Sequence, residues 1–321
     1  MDSFGVPGSV LSLLLHLEAN GFQAFLLGGC VRDLLLGIPP HDWDICTDAL
    51  PEQMLELFPD SLTYGMRHGT VTVRWNGCAA EVTTFRAESD YSDHRRPDRV
   101  TFISDLRADL ARRDFTVNAI ALNARGERSD PFGGEADLRA GILRAVGNPE
   151  ARFQEDALRM LRAVRFSAQL GFRLEDATQK ALSSCADLVS ALAAERVCAE
   201  LEKTLLTGRP EMTRTMADLG LLLPWGVQSH TRPLDSLKLL PATRQFRWMG
   251  YALTLPDISP LKKLRLDKKT ILAWMKPYTP YTIEDIRKGI PVFSQKNASA
   301  PCDAEVFSYL IPLRTDLSPG H

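Results

Sequence analysis

The chain contains 321 residues, 45% hydrophobic and 24% charged, with a net charge of −2, which is the length and balance of a globular protein of two or three packed units. No run approaches the ~20 consecutive apolar residues of a membrane span. The six cysteines include no C-x-x-C pair and the six histidines are scattered, which sets aside disulfide frameworks and zinc ribbons and fits reduced thiols in a cytoplasmic protein.

In chain order, the first segment has Asp2 where a leader peptide would be basic, and His16 and Glu18 close its apolar run. The spacing therefore predicts an amphipathic helix over 7–20 rather than a signal peptide. Short apolar runs at 24–28, 42–46, 69–75, 79–85 and 117–122 read as strands, with a further helix over 51–58. Asn76-Gly77 between two alternating runs is a hairpin signal. The charged stretch RAESDYSDHRRPDRV, 86–100, reads as a loop. From about residue 135 the pattern turns helical, with segments at 154–170, 174–185, 193–207 and 211–222 before prolines break it up. The expected plan is a mixed α/β head followed by an all-helical remainder.

Charge is unevenly distributed. Residues 1–179 contain no lysine, and all ten lysines lie between Lys180 and Lys296. From Lys238 to Lys288 there are 11 Lys/Arg against 4 Asp/Glu, interleaved with Phe246, Trp248, Tyr251, Trp274, Tyr278 and Tyr281. Such a segment suits either a phosphate backbone or an ordinary solvated helical surface.

Three constellations carry chemistry. Gly28 and Gly29 follow the strand-like AFLL, where glycines let the backbone approach a phosphate, and Arg32 follows with a fork that matches phosphate oxygens. The pattern is neither G-x-G-x-x-G nor a P-loop. Asp42 and Asp44, two apart in HDWDICT, would face one side of a strand while Trp43 and Ile45 point inward. Two such carboxylates repel unless a cation lies between them, as two Mg²⁺ ions do in nucleotidyl transfer. Glu81, on the far arm of the hairpin, is a third carboxylate if that arm borders the Asp42/Asp44 strand; otherwise it faces solvent. In RFQEDALRMLRAVRF, a continuous helix would place Asp156, Arg159, Arg162 and Arg165 opposite the apolar side. An Asp156–Arg159 pair at i, i+3 can read a base edge. The arginine donates and the aspartate accepts, which suits cytosine and adenine but not uracil or guanine. A surface ion pair is the alternative.

The ordered motifs LLGGCVRDLLLG, HDWDI, YGMRHGTVTV, EVTTFRAESDY, RRDFTVNAIALN and DPFGGEADLRAGILRAVGNPEARFQEDALRMLRAVRF together resemble the class II tRNA nucleotidyltransferases. These are the CCA-adding enzymes, within the polymerase-β-like nucleotidyltransferase superfamily. The resemblance covers about residues 20–210. It implies an α+β fold, with a nucleotidyltransferase head on a mixed sheet over 1–140, a base-selecting helical neck over 141–210 and a shortened helical body and tail over 211–321 for tRNA. It implies Gly28, Gly29, Arg32 and Arg113 at the triphosphate, Asp42 and Asp44 at Mg²⁺, and Asp156 and Arg159 as a protein template with Arg162 and Arg165 beside it. CTP, ATP and the tRNA 3′ acceptor end are the implied partners, with no membrane involved. The 86–100 segment resembles the family's flexible loop tied to switching from C to A addition. Poly(A) polymerases share much of the head, so A-only or poly(A) addition is the alternative activity. A small-molecule nucleotidyltransferase and a silent RNA-binding relative complete the alternatives. The family pattern fades after about residue 225.

Overall fold

The computed structural model describes residues 5–89, 99–231 and 233–266. The middle of the charged 86–100 segment, and the part of the basic aromatic stretch holding Trp274, Tyr278 and Tyr281, lie outside the described residues. The elements begin α1 (Gly8–Ala19), β1 (Ala24–Leu27), α2 (Gly29–Leu35), β2 (Asp44–Thr47), α3 (Pro51–Leu57), β3 (Thr70–Trp75) and β4 (Cys78–Thr84). There follow β5 (Arg86–Ser89), β6 (Arg99–Phe102), α4 (Leu106–Ala111), β7 (Ala121–Leu122), β8 (Arg128–Ser129), α5 (Gly134–Ala140), β9 (Ile142–Leu143) and α6 (Pro149–Glu155). The remainder is α7 (Leu158–Leu170), β10 (Arg173–Leu174), α8 (Asp176–Ser184), α9 (Ala194–Leu205), α10 (Thr213–Asp218), α11 (Arg244–Thr254) and α12 (Ser259–Lys263).

Two compact units result. The first runs to Asp156 and takes back Arg173–Ala181, and the second comprises Ala157–Phe172 and the chain from Leu182 on. The first is built on a six-stranded sheet in the order β3-β4-β2-β1-β7-β8. Pairing is antiparallel except for the parallel β2–β4 pair, so the sheet is mixed. The β3–β4 hairpin closes at Asn76-Gly77, both with positive φ as a tight two-residue turn requires.

Alternation decides which face is core. Leu26, Ile45, Val71, Val73 and Val82 are buried, as are Val10, Leu13, Leu14 and Leu17 of α1, which packs on β1 and β4. On the opposite face Leu27 and Cys46 join Phe85, Leu110, Ala119, Ala121 and Val146 in a second cluster. That cluster covers only part of the face. Further along, Thr83 is half-buried and Glu81 exposed, leaving polar groups accessible.

Several expectations are corrected. The 117–122 run yields a 3₁₀ turn, Thr116–Asn118, and a strand of only two residues, because the chain bends there to meet α5. The 86–100 segment is not wholly a loop: its ends pair antiparallel as β5 and β6, from Arg86↔Phe102 to Ser89↔Arg99. The 154–170 helix is two helices, since Asp156 adopts φ −138°, ψ 104° and breaks the run. Residues 142–143 and 173–174 form a short parallel pair inside the stretch expected to be helical.

In the second unit α7 packs on α9 and α10, and α11 on α9. Trp248 and Tyr251, read from sequence as possible nucleic-acid contacts, are fully buried in this core. The Trp248 indole N–H donates to Glu202 Oε2 at 2.8 Å, the partner a buried indole requires. His230 meets the Tyr251 ring edge-on at 5.5 Å, and its Nε2 is buried with no hydrogen-bond partner. Burial, with Arg214 nearby, pushes the His230 imidazole down to about 4. A base whose folded pKa lies below its unfolded value binds fewer protons folded than unfolded, so stability falls as pH drops through 6.5 toward 4. Thermal denaturation is expected to show that loss, and His230→Phe is expected to flatten it across the same window.

Candidate active site

The end of β1 brings the expected residues to one place. Gly28 has φ +74° and ψ −135°, a conformation closed to residues with a side chain. A Cβ at Gly28 would lie 3.4 Å from Arg113 Nη1 and 3.6 Å from Asp44 Oδ2. Position 28 thus lies within van der Waals reach of both a guanidinium and a carboxylate. One residue on, a Cβ at Gly29 would lie 3.6 Å from Arg32 Nη2. Arg32 is only 4% exposed, with Nε donating to Asp33 Oδ1 and Nη1 to Asn118 Oδ1, each at 2.8 Å. Gly28, Gly29, Arg32, Asp44 and Arg113 therefore form one constellation, with two fixed cations flanking a bare stretch of backbone.

The carboxylates follow from sheet register. Asp44 opens β2 and pairs in the parallel ladder with Glu81 of β4. Register partners on adjacent strands, about 4.8 Å apart, share a face. The strand that sequence alternation offers to both aspartates holds only one of them, because β2 starts at Asp44; Asp42 lies exposed in the bend before it. The pleat therefore does not set its direction. Trp43 is half-buried rather than a core residue. The Asp44 carboxyl is raised above its ordinary value chiefly by burial; Arg113 lowers it, whereas Glu81 and Asp42 raise it further. All three acids thus act on one point.

This donor set is all carboxylate oxygen, the chemistry that suits Mg²⁺ rather than a thiolate- or imidazole-loving metal. Among the described residues no three Asp, Glu, His or Cys side chains enclose an ion by themselves.

A supporting layer escapes motif reading. Asn118, 5% exposed, accepts from Arg32 and donates through Nδ2 to Asp114 Oδ1 at 3.1 Å. The Thr116–Asn118 turn that carries it is held by Thr116 Oγ1 donating to Asp137 Oδ2 at 2.7 Å, and Asp137 also accepts from Arg144. Beneath lies Gly134, where a Cβ would sit 2.2 Å from Thr116 O and 2.8 Å from Ile120 Cγ1. The helix α5 can approach the turn this closely only because position 134 lacks a side chain. Asn118 lay within a recognised motif; only its partner in space shows what it does.

The base-reading residues are arranged differently from the expected polar stripe. Asp156 is extended, so it is not a helical i, i+3 neighbour of Arg159. Arg159 and Arg165 are each 8% exposed and Arg162 is half-buried. Arg165 Nε donates to buried Glu200 Oε2 at 2.6 Å, Nη1 to Gln169 Oε1 at 2.7 Å, and the guanidinium lies 3.6 Å over the Phe166 ring centroid. Burial without a polar stripe is tolerable because that charge is paired and stacked.

The "Poly A polymerase head domain" family matches residues 24–144, and "Probable RNA and SrmB- binding site of polymerase A" matches residues 171–225. A CCA-adding enzyme of Lactiplantibacillus plantarum is 52% identical over 194 residues, covering 60% of this chain and 48% of that protein. One from Geobacillus kaustophilus is 44% identical over 272 residues, covering 81% of this chain and 67% of that protein. The chain spans about half the length of the curated relatives it first matches. Among solved structures, the Bacillus stearothermophilus CCA-adding enzyme in complex with CTP superposes with a TM-score of 0.63 at 32% identity, covering 95% of this chain and 82% of that one.

Two outcomes test this geometry. Gly134→Ala is expected to destabilise the first unit by about 1–3 kcal/mol, since its Cβ meets backbone and not a movable side chain; chemical denaturation measures it. In metal-free protein, Glu81→Gln removes a charge that raises the Asp44 carboxyl, so the Asp44 carboxyl ¹³C titration is expected to move to lower pH.

Proposed function

Because the chain belongs to the CCA-adding enzyme family, we propose that it adds C, C and A to the tRNA 3′ end from CTP and ATP, without a nucleic-acid template. The observation that supports this most directly is Asp44, in register with Glu81 and facing Arg113 across Gly28. A triphosphate needs cations on its oxygens, a backbone that admits it closely and carboxylates beside the reacting phosphate.

In this reading the tRNA 3′-hydroxyl oxygen forms a bond to the α-phosphorus, and the bond from that phosphorus to the bridging oxygen breaks, releasing pyrophosphate. Arg32 and Arg113 hold the triphosphate over the Gly28-Gly29 backbone. Their guanidiniums are set beforehand by Asn118, Asp33 and Asp109, so the triphosphate binds with little reorganisation. Asp42 and Asp44 hold metal, and Glu81 adds negative charge beside them. The family uses divalent ions, here Mg²⁺, which when bound acidify the attacking hydroxyl and offset the leaving group's charge. Positioning accounts for the rest of the rate.

Asp156 and Arg159 select the base by the donor–acceptor pattern that cytosine and adenine share. Arg162 lies beside them, and Arg165 contributes by fixing α7 through Glu200. The functional partition is a catalytic head over 1–140, a base-selecting neck over 141–210 and a tRNA-binding body over 211–321. The expected location is the cytoplasm; among the described residues no helix is long and apolar enough to cross a membrane.

Purified protein with Mg²⁺ and three transcripts, ending before CCA, after C and after CC, tests the proposal at single-nucleotide resolution. Extension of all three to CCA is the expected result. A-only extension or long A tails would reassign the activity within the nucleotidyltransferases, and no incorporation would favour a silent RNA-binding relative. Asp44→Asn is expected to reduce incorporation by about 10³-fold or more with the fold intact by circular dichroism. Arg159→Ala is expected to admit UTP and GTP, measured as relative incorporation.

A further inference from the structure

The structure points to a positioning residue outside the nucleotide constellation: we propose that Asp109 fixes Arg113 for the nucleotide and ties it to the base of the β5–β6 hairpin. This rests on the assignment of Arg113 to the triphosphate made above.

Asp109 lies in the first turn of α4 and is 0% exposed. Its Oδ1 accepts from the Arg86 backbone N–H at 3.1 Å, from Arg112 Nε at 3.0 Å and from Arg112 Nη2 at 2.7 Å. Its Oδ2 faces Arg113 Nη2 at 3.5 Å and has no hydrogen-bond partner. One carboxylate thus divides its two oxygens between tasks. The first anchors Arg112 and the first residue of β5; the second is left to a single cation.

A buried carboxylate with one oxygen uncommitted is costly unless a charge compensates it. Arg113 supplies that charge, and its other amine, Nη1, stands at Gly28 beside Asp44. The Arg113 side chain therefore lies between two acids, paired with Asp109 behind it and acting electrostatically on Asp44 in front. At 3.5 Å the Asp109 contact is an ion pair through Nη2, and Nη1 is the amine that stands at Gly28. The hairpin end of the link is firm as well. Arg86 also donates from its guanidinium to His68 O, and the Phe102 ring packs against Gly69, where a Cβ would meet Phe102 Cε1 at 2.7 Å. Asp109 thus joins a docked hairpin to the guanidinium that holds the nucleotide.

The test is a double-mutant cycle on the full chain with tRNA, CTP and ATP. The variants are Asp109→Asn, Arg113→Ala and the double substitution, each read as KM for nucleotide, kcat and melting temperature. Asp109→Asn is expected to raise both nucleotide KM values by about tenfold while kcat changes little, as loss of a charge-assisted orienting contact predicts. The double variant is expected to match Arg113→Ala alone, because Asp109 acts through Arg113. Wild-type KM in Asp109→Asn, or defects that multiply in the double variant, would overturn the proposal. Wild-type KM in Arg113→Ala would remove Arg113 from the nucleotide site and the proposal with it, an outcome distinct from an Arg113 defect that Asp109→Asn fails to reproduce. Should Asp109→Asn not fold, Asp109→Glu keeps the charge, shifts it by one methylene and is read the same way.

Discussion

The site depends on a carboxylate held where solvent alone cannot neutralise it. Asp44 opens a strand whose next three residues are buried, and its neighbour in the ladder is another acid. Burial and like charge both press it toward protonation, against the pull of Arg113. A site in this condition favours any arriving cation and any arrangement that keeps Arg113 close. Gly28 is the geometric counterpart, since it touches both groups from a backbone conformation that only glycine accepts without strain.

From that point outward, each layer fixes the one inside it. Arg32 is aimed by Asn118, Asn118 sits on a turn pinned by Asp137, and the turn stands where it does because Gly134 lets α5 touch its backbone. On the other side Arg113 is faced by Asp109, which also holds the start of β5. Catalytic geometry needs tolerances of fractions of an ångström, and buried, paired side chains deliver them more reliably than solvated ones. Arg32 and Arg113 are thus placed by different partners, Asp33 and Asn118 for the first and Asp109 for the second.

Much of this was legible in the sequence, and for definable reasons. Strand alternation and Asn76-Gly77 give β3 and β4, and the spacing of Glu81 on the far arm places it beside Asp44 once β4 borders β2. The double glycine with Arg32 is visible because glycine and arginine have few structural reasons to occur together after a buried strand. What periodicity missed are features set by partners distant in sequence. Asp42 falls outside the strand although i, i+2 spacing offered it a place there, since the ladder begins only where β4 pairs with β2. Asn118 is an ordinary polar residue in the chain that acquires meaning from Arg32, 86 positions away, and Asp109 reaches β5 through Arg86, 23 positions away. The aromatics of the basic stretch misled for the opposite reason: Trp248 and Tyr251 recur at i, i+3, which serves a buried helix face as readily as a row of stacking rings.

The helix α7 shows how a charge pattern in the sequence can mislead about exposure. Arginines at three-residue spacing predict a polar stripe, and an isolated helix would present one. Here Arg165 is turned inward because α9 offers Glu200, itself buried, and because Phe166 provides a ring beneath the guanidinium. A buried ion pair of this kind adds little net stability over an apolar pair, yet removing either partner leaves the other charge stranded. Its value is therefore in fixing the rotation of α7 about its axis: Arg165 can reach Glu200 in only one setting of the helix. Arg159 and Arg162 are on the same helix, so that setting fixes the directions in which they leave the backbone. Arg159 lies about one and two-thirds turns from Arg165, so the setting that the Arg165–Glu200 pair gives the helix carries to Arg159 as well.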